Sequence, residues 1–215
     1  MLLGGRYLEK KKSAKSQKRK KIIDKAWELF AKNGYEETKV EDITRELGVS
    51  KGSFYTYFET KDELLYEILG KIKKKIVEAL ETINTNQKPE KILEDYVKIK
   101  MNSAVEILNN MRLDSLQKNI CNPKLICFFE EIREKSIDFI KINIVEKFNE
   151  KNGNKYEAKI ISEFILISIE EFLYDEFVLK SFRNMKEDEL INIKNTDKIE
   201  ISLKEITKFI NNALK

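Results

Sequence analysis

ELGVSKGSFYTYFETKDEL, from Glu46 to Leu64, sets four aromatic residues, Phe54, Tyr55, Tyr57 and Phe58, within five positions. They follow a Gly-Val-Ser turn and a further glycine, Gly52. Ser50 is placed to cap a short helix, with Val49 at N′ and Phe54 at N4 as a hydrophobic staple. On a helical wheel counted from Ser50, Phe54 and Phe58 lie i, i+4 and turn inward beside Leu47 and Val49. Gly52, Ser53, Tyr55 and Thr56 fall on the opposite or flanking arcs. The stretch therefore reads as core and surface interleaved on a very short helix.

Upstream, Ile22, Ala26, Leu29 and Phe30 follow i, i+4, i+7, i+8, with Ile23 and Trp27 broadening the stripe. This predicts an amphipathic helix from Lys18 to Asn33, closed by Gly34 in the left-handed conformation. TKVE, starting at Thr38, reads as a capping box that opens a second helix with Val40, Ile43 and Leu47 inward. LGV ends it after barely two turns. Downstream, TKDE (Thr60 to Glu63) is another capping box, and it opens a longer helix through Leu64, Leu65, Ile68, Ile72, Ile76 and Leu80. That helix is expected to join a small N-terminal domain to the rest.

Beyond NTNQKP, helical periodicity returns near Pro89 to Asn109, Met111 to Cys121, Pro123 to Glu150, Lys155 to Phe182 and Lys198 to Leu214. Pro89 and Pro123 suit the first helical position. IISEFILISIEEFLYDEFVL, within the Lys155 segment, is apolar on more than one side, as in a helix lying between its own core and a partner. Asn184 to Lys198 is the internal stretch with the weakest pattern. With only two prolines and seven glycines in 215 residues, the chain reads as all-α.

Composition narrows the function. Histidine is absent, which removes Ser-His-Asp and Cys-His nucleophilic sites and histidine-based metal sites. Cys121 and Cys127 are the only cysteines; their spacing suits neither a disulfide framework nor zinc, and both are expected as buried thiols. No stretch reaches the roughly 18 apolar residues of a membrane span, so a cytoplasmic, nucleoid-associated protein with no membrane partner is expected. No phosphate-cradling glycine loop is present, and no enzyme, cofactor or metal is expected. Residues 1–21 hold nine Lys/Arg against one acid, a net +8 in a chain of net +4, which leaves the remainder at −4. A basic arm on a mildly acidic body points to a polyanion, nucleic acid first.

Three short helices with a glycine in the tight turn make a helix-turn-helix whose third helix is the candidate reader. TKVEDITRELGVSKGSFYTYFETKDEL resembles the N-terminal DNA-binding domain of the TetR family of bacterial transcriptional regulators (AcrR-like), over about Lys18 to Leu69. The resemblance implies an all-helical homodimer. Three helices would read a double-stranded operator, and a larger C-terminal domain would bind a small effector and dimerise through its last two long helices. Residues 1–17 would be a flexible basic arm, 18–62 the helix-turn-helix domain and 63–215 the ligand-binding and dimerisation domain. By position, the family's helix-two cap falls on Thr38, its groove-facing SKG(S/T) on Ser50, Lys51, Gly52 and Ser53, its phosphate-binding tyrosine on Tyr55 and its later lysine on Lys61. Where the family often has an aromatic and then histidine, this chain has Thr56 and Tyr57, which join the DNA-binding set.

Tyr96, Met101, Met111, Phe128, Phe129, Phe164 and Phe172 supply adaptable apolar surface for a ligand cavity. Glu163, Glu170, Glu171 and Asp175 are candidates for pairing with a cationic ligand. The leading expectation is a repressor released from a palindromic operator by a small molecule. The alternative keeps the fold but makes the chain a nucleoid-bound interaction protein whose C-terminal domain recruits a protein; a packed, pocket-free core would favour it.

Overall fold

The computed structural model describes residues 3–109, 122–153, 156–180 and 197–214. Among them the regular structure is entirely helical, and no helix is long and apolar enough to cross a membrane. Met111, Cys121, the helix expected between them and residues 184–196 lie outside the described residues.

Helix α1 runs Leu3–Asn33, so the basic segment expected as a flexible arm is drawn into the helix expected to begin at Lys18. Its lysines and arginines are good helix formers, and Lys15, Lys18, Lys20 and Lys21 stay exposed. The apolar stripe is buried as its period requires: Ile22, Ile23, Ala26, Leu29 and Phe30. Gly34, at φ 91°, stops the helix, its N–H donating to the Phe30 carbonyl at 2.9 Å.

Helix α2 (Val40–Glu46) begins one residue later than the TKVE box suggested. Its cap is Lys39, whose N–H donates to the Asp42 carboxylate at 2.9 Å. Thr38 is buried, and its hydroxyl donates to the carbonyls of Gly34 (2.8 Å) and Leu29 (3.3 Å). A Schellman turn follows: Gly48 sits at φ 64°, its N–H donating to Arg45 and that of Val49 to Thr44.

This turn aims α3 (Lys51–Tyr55). Ser50 caps it, accepting the Ser53 N–H at 3.2 Å. Five residues are far too few for a self-supporting helix, so α3 depends on burial of Phe54 (0% exposed) and Phe58 (1%). Each buried phenyl is worth roughly 1.5–3 kcal/mol. Val49, expected to staple onto Phe54, is instead 36% exposed; the turn's backbone bonds set the angle.

Helix α4 (Lys61–Glu81) opens on Thr60, whose Oγ1 accepts the Glu63 N–H at 3.0 Å. The Glu63 carboxylate reaches back to the Glu59 N–H at 2.6 Å, one residue beyond the simple box. Then come α5 (Pro89–Leu108) and α6 (Pro123–Ile140), which widens through a π-helical turn, Lys141–Val145, into α7 (Glu146–Asn152). Helix α8 (Ala158–Tyr174) runs into a second such turn, Asp175–Leu179, and α9 (Asp197–Ala213) ends the described chain.

Two apolar cores result. One, in the C-terminal half, gathers Ile92, Leu93, Tyr96, Ile144, Phe148, Ile165, Leu166, Ile169 and Leu203. The other gathers the inner faces of α1 to α3 with Leu64, Leu65, Ile68, Leu69 and Ile76 of α4, and it is completed by Leu125, Phe128 and Ile132 of α6. Trp27 packs against both. Helix α4 is thus shared between the halves, and α6 is a wall of the N-terminal core as well as a strut of the C-terminal one. Cys127, expected to be buried, faces outward on α6, because its neighbours Leu125 and Phe128 take the inner face.

A polar latch flanks the seam. Lys124 donates to Asp62 at 2.6 Å, Tyr35 donates to the same carboxylate, and Asn122 donates to Glu36 at 3.0 Å. The Lys124 ammonium, then the Tyr35 hydroxyl, hold the Asp62 carboxyl below its usual range. Because the native value is lowered, this contribution to stability is present above roughly pH 4, the ordinary carboxylate range, and is lost as pH falls through the native value. Asp62→Asn should therefore flatten the acid limb of a thermal-stability profile and leave its neutral-to-basic limb parallel to wild type. Gly48→Ala tests the turn: nothing lies within 4 Å of the added Cβ, so its cost is purely conformational. About 1–2 kcal/mol of stability should be lost in denaturant unfolding.

Candidate nucleic-acid interface

Helix α3 faces two ways. Phe54 and Phe58 pack together inside, ring centroids 5.7 Å apart, and Tyr55 sets its ring edge-on to Phe54 at 5.3 Å while remaining 49% exposed. Tyr55 is therefore braced from behind with its outer edge in solvent. Ser50, Lys51, Gly52 and Thr56 are exposed on the same short element, and Ser53 is half-buried. The Thr56 hydroxyl donates to the Gly52 carbonyl at 3.1 Å, and Tyr57 is half-buried against the core.

Not every expected contact faces outward. Thr38 turns its hydroxyl inward, as described above, so its side chain ties the α1–α2 loop. Lys61 also turns in: its ammonium donates to the carbonyls of Tyr35 (2.8 Å) and Thr38 (3.1 Å) and stands 4.2 Å from the centre of the Tyr35 ring. Both residues hold the loop that positions α2. Lys51 pairs with Glu41 across the α2–α3 corner. This pair is exposed, so a phosphate can replace Glu41 with little desolvation. Arg19, counted with the basic segment, also has a structural post. It pairs with Glu67 and its guanidinium sits 4.8 Å from the centre of the Phe58 ring, joining α1, α4 and the turn that follows α3. No local pattern identifies it, since its partners lie 48 and 39 residues away.

Gly52 is the most informative residue of the reader. Its backbone is ordinary helix, and a Cβ there would meet only the Ser50 hydroxyl at 3.9 Å. Nothing among the described residues requires a glycine at this position, so clearance for a partner is the role to test.

The expected ligand residues divide. Phe128 and Phe129 line a cavity of about 450 Å³ between the two cores. Its walls come from Trp27, Phe30, Leu65, Leu69, Ile72 and Ile76 on one side and Leu173, Phe177 and Val178 on the other. Tyr96 and Phe172 belong to the C-terminal core instead, and Met101 borders a groove of charged side chains between α5 and α9. Phe164 is 61% exposed on the outside of α8, and Met111 lies outside the described residues. Lys100, Arg133 and Glu170 were missed as a group: their side chains meet in the cavity wall. Of the acidic residues considered for a cationic ligand, only Glu170 reaches this wall, and it is already paired. Among the described residues no group of three or more Cys, Asp or Glu is placed to hold a metal.

Residues 22–68 match the family model described as bacterial regulatory proteins, tetR family. The HTH-type transcriptional regulator YuxN of Bacillus subtilis is 46% identical over 54 residues, 25% of this chain and 19% of that protein. The fatty acid metabolism regulator protein of the same organism is 37% identical over 68 residues, 30% of this chain and 35% of that one. These matches span about a third or less of the relatives' own length. The likeness is wider in three dimensions: a transcriptional regulator from Aquifex aeolicus VF5 superposes over 89% of this chain and 98% of its own, with TM-score 0.63 and 26% identity.

Gly52→Ala should separate folding from recognition. Helix propensity predicts a gain of up to about 1 kcal/mol in stability, while affinity for specific duplex DNA should fall at least tenfold. Unchanged affinity in a titration would remove the clearance role.

Proposed function

The chain belongs to the TetR family of bacterial regulators, and from that premise we propose that it is a homodimeric repressor released from a palindromic operator by a small molecule. The observation that carries the DNA-binding part is the outer face of α3. Ser50, Lys51, Gly52, Ser53, Tyr55 and Thr56 lie together on an element locked from behind by two buried phenylalanines. In this reading Tyr55, Lys51 and Ser50 contact phosphates, Gly52 admits the backbone to the major groove, and Ser53 and Thr56 read base edges. Tyr57, half-buried, adds a flanking phosphate contact. The exposed lysines of α1 add sequence-independent attraction that salt weakens.

Release needs a ligand site coupled to the reader. The cavity supports this reading over recruitment of a protein partner, for which a pocket-free core was the expected sign. It lies against α1 and α4 of the N-terminal core and α6 and α8 of the C-terminal half. A ligand there acts on α4 directly, and on α6, which holds the start of α4 through Lys124–Asp62 and reaches the α1–α2 loop through Asn122–Glu36. A tilt of either changes the separation of two reading heads, which must stand about 34–36 Å or a multiple apart to enter successive major grooves.

Dimerisation draws support from α8. Its inner face buries Ile165, Leu166, Ile169 and Leu173, while Ile160, Phe164 and Ile167 are 63%, 61% and 45% exposed on the other side. Helix α9 likewise exposes Ile201 and Phe209. Apolar residues this large on two neighbouring helices suit a partner surface better than water.

Selection from a random duplex pool should return a site with two-fold symmetry and half-sites one helical turn, or a multiple, apart; enrichment of asymmetric sites would sink the dimeric reading. On that site Tyr55→Phe should weaken specific and unrelated duplexes by the same factor. Ser53→Ala should change the preferred base at one position per half-site. If the two variants behave alike, the division into phosphate and base contacts fails.

A further inference from the structure

The cavity between the two cores has one polar end. Lys100 donates to Glu170 Oε1 at 2.8 Å and Arg133 donates to Glu170 Oε2 at 2.9 Å. Two cations, from α5 and α6, thus share a single carboxylate on α8. All three groups line the cavity and are partly shielded, with side-chain exposures of 14% for Lys100, 29% for Arg133 and 33% for Glu170. Glu130, the other acid of the lining, is open to solvent. The remaining wall is chiefly apolar, with Phe30, Leu65, Leu69, Ile72, Phe128 and Leu173.

The cluster carries one uncompensated positive charge beside apolar walls, where water screens it poorly. Together the lysine and the arginine carry more N–H donors than one shared carboxylate accepts, so donors remain for a second anion. The planar guanidinium matches a carboxylate in particular. A cationic head would have to pass two like charges to reach Glu170, and an uncharged one would leave the imbalance in place.

We propose that the cavity takes an amphiphile with an apolar chain and a single carboxylate head. The head binds Arg133 and Lys100 in competition with Glu170, and the chain lies along α1 and α4. The proposal rests on reading this cavity as the effector site, and it adds the chemical class of the effector.

Trp27 is the only tryptophan of the chain and lines the cavity, so its emission reports occupancy without DNA. The test titrates the full chain with dodecanoate, dodecanol and dodecyltrimethylammonium, each below its aggregation concentration. Dodecanoate is expected to bind tightest. Arg133→Gln should weaken dodecanoate about tenfold and leave dodecanol unchanged. Glu170→Gln removes the competing internal charge and should tighten dodecanoate several-fold, a gain that a damaged fold cannot produce. Dodecanol binding as tightly as dodecanoate, the cation binding tightest, or an Arg133→Gln variant with wild-type affinity would each overturn the proposal. The parent reading fails separately: tight dodecanoate binding with operator occupancy unchanged keeps the head-group assignment and removes release by ligand. Release by a neutral or cationic compound alone does the reverse.

Discussion

Leu125, Phe128 and Ile132 rise from the start of α6 and finish the core of the N-terminal half. The rest of the architecture hangs on that apolar seam. Without it, the inner faces of α1 and α4 would meet water, and α3, too short to hold itself, would lose the scaffold behind Phe54 and Phe58. Of the polar groups beside the seam, Lys124, Asp62 and Glu36 are exposed enough that solvent screens them, while Asn122 is buried. They fix register, and the buried leucine, phenylalanine and isoleucine supply the cohesion. The seam also makes one wall of the cavity, so whatever fills that space presses on side chains that belong to the reader's own core.

Helix α3 illustrates how a local signal survives into the tertiary structure. The i, i+4 spacing of Phe54 and Phe58 and the cap at Ser50 were legible, because a helix of fixed pitch leaves those side chains only one inward direction. The cap of α2 was misread by one residue: Thr38 resembles a cap in sequence, but its hydroxyl donates to the closing carbonyls of α1. A hydroxyl is both donor and acceptor, and only the neighbouring chain decides which role it takes. Lys61 and Arg19 turn inward for a related reason. Long cationic side chains reach several ångströms, and here each folds back over an aromatic ring and onto oxygen atoms supplied by distant segments.

Among its described residues the C-terminal half is helical as expected, but the residues expected around a ligand do not gather in one place. Apolar periodicity gives α5, α6, α8 and α9, and the two-sided apolarity of α8 is met by a buried and an exposed face. Composition does not distinguish a residue that fills a core from one that borders a void. Tyr96 and Phe128 look alike as candidates, yet one is packed within the C-terminal core and the other opens on the cavity. Phe164, proposed for the interior, stands outside, where it serves the two-sided helix.

By itself the sequence determined the all-helical class, the helix-turn-helix and its two-faced short helix, because caps, glycines and apolar spacing act within a few residues of one another. The tertiary structure alone decided that α6 completes the N-terminal core, which lysines and threonines turn inward, and that Lys100, Arg133 and Glu170 meet in one wall. Those contacts join residues dozens of positions apart, and a pattern of fixed helical period carries no information about which distant helix will lie against it.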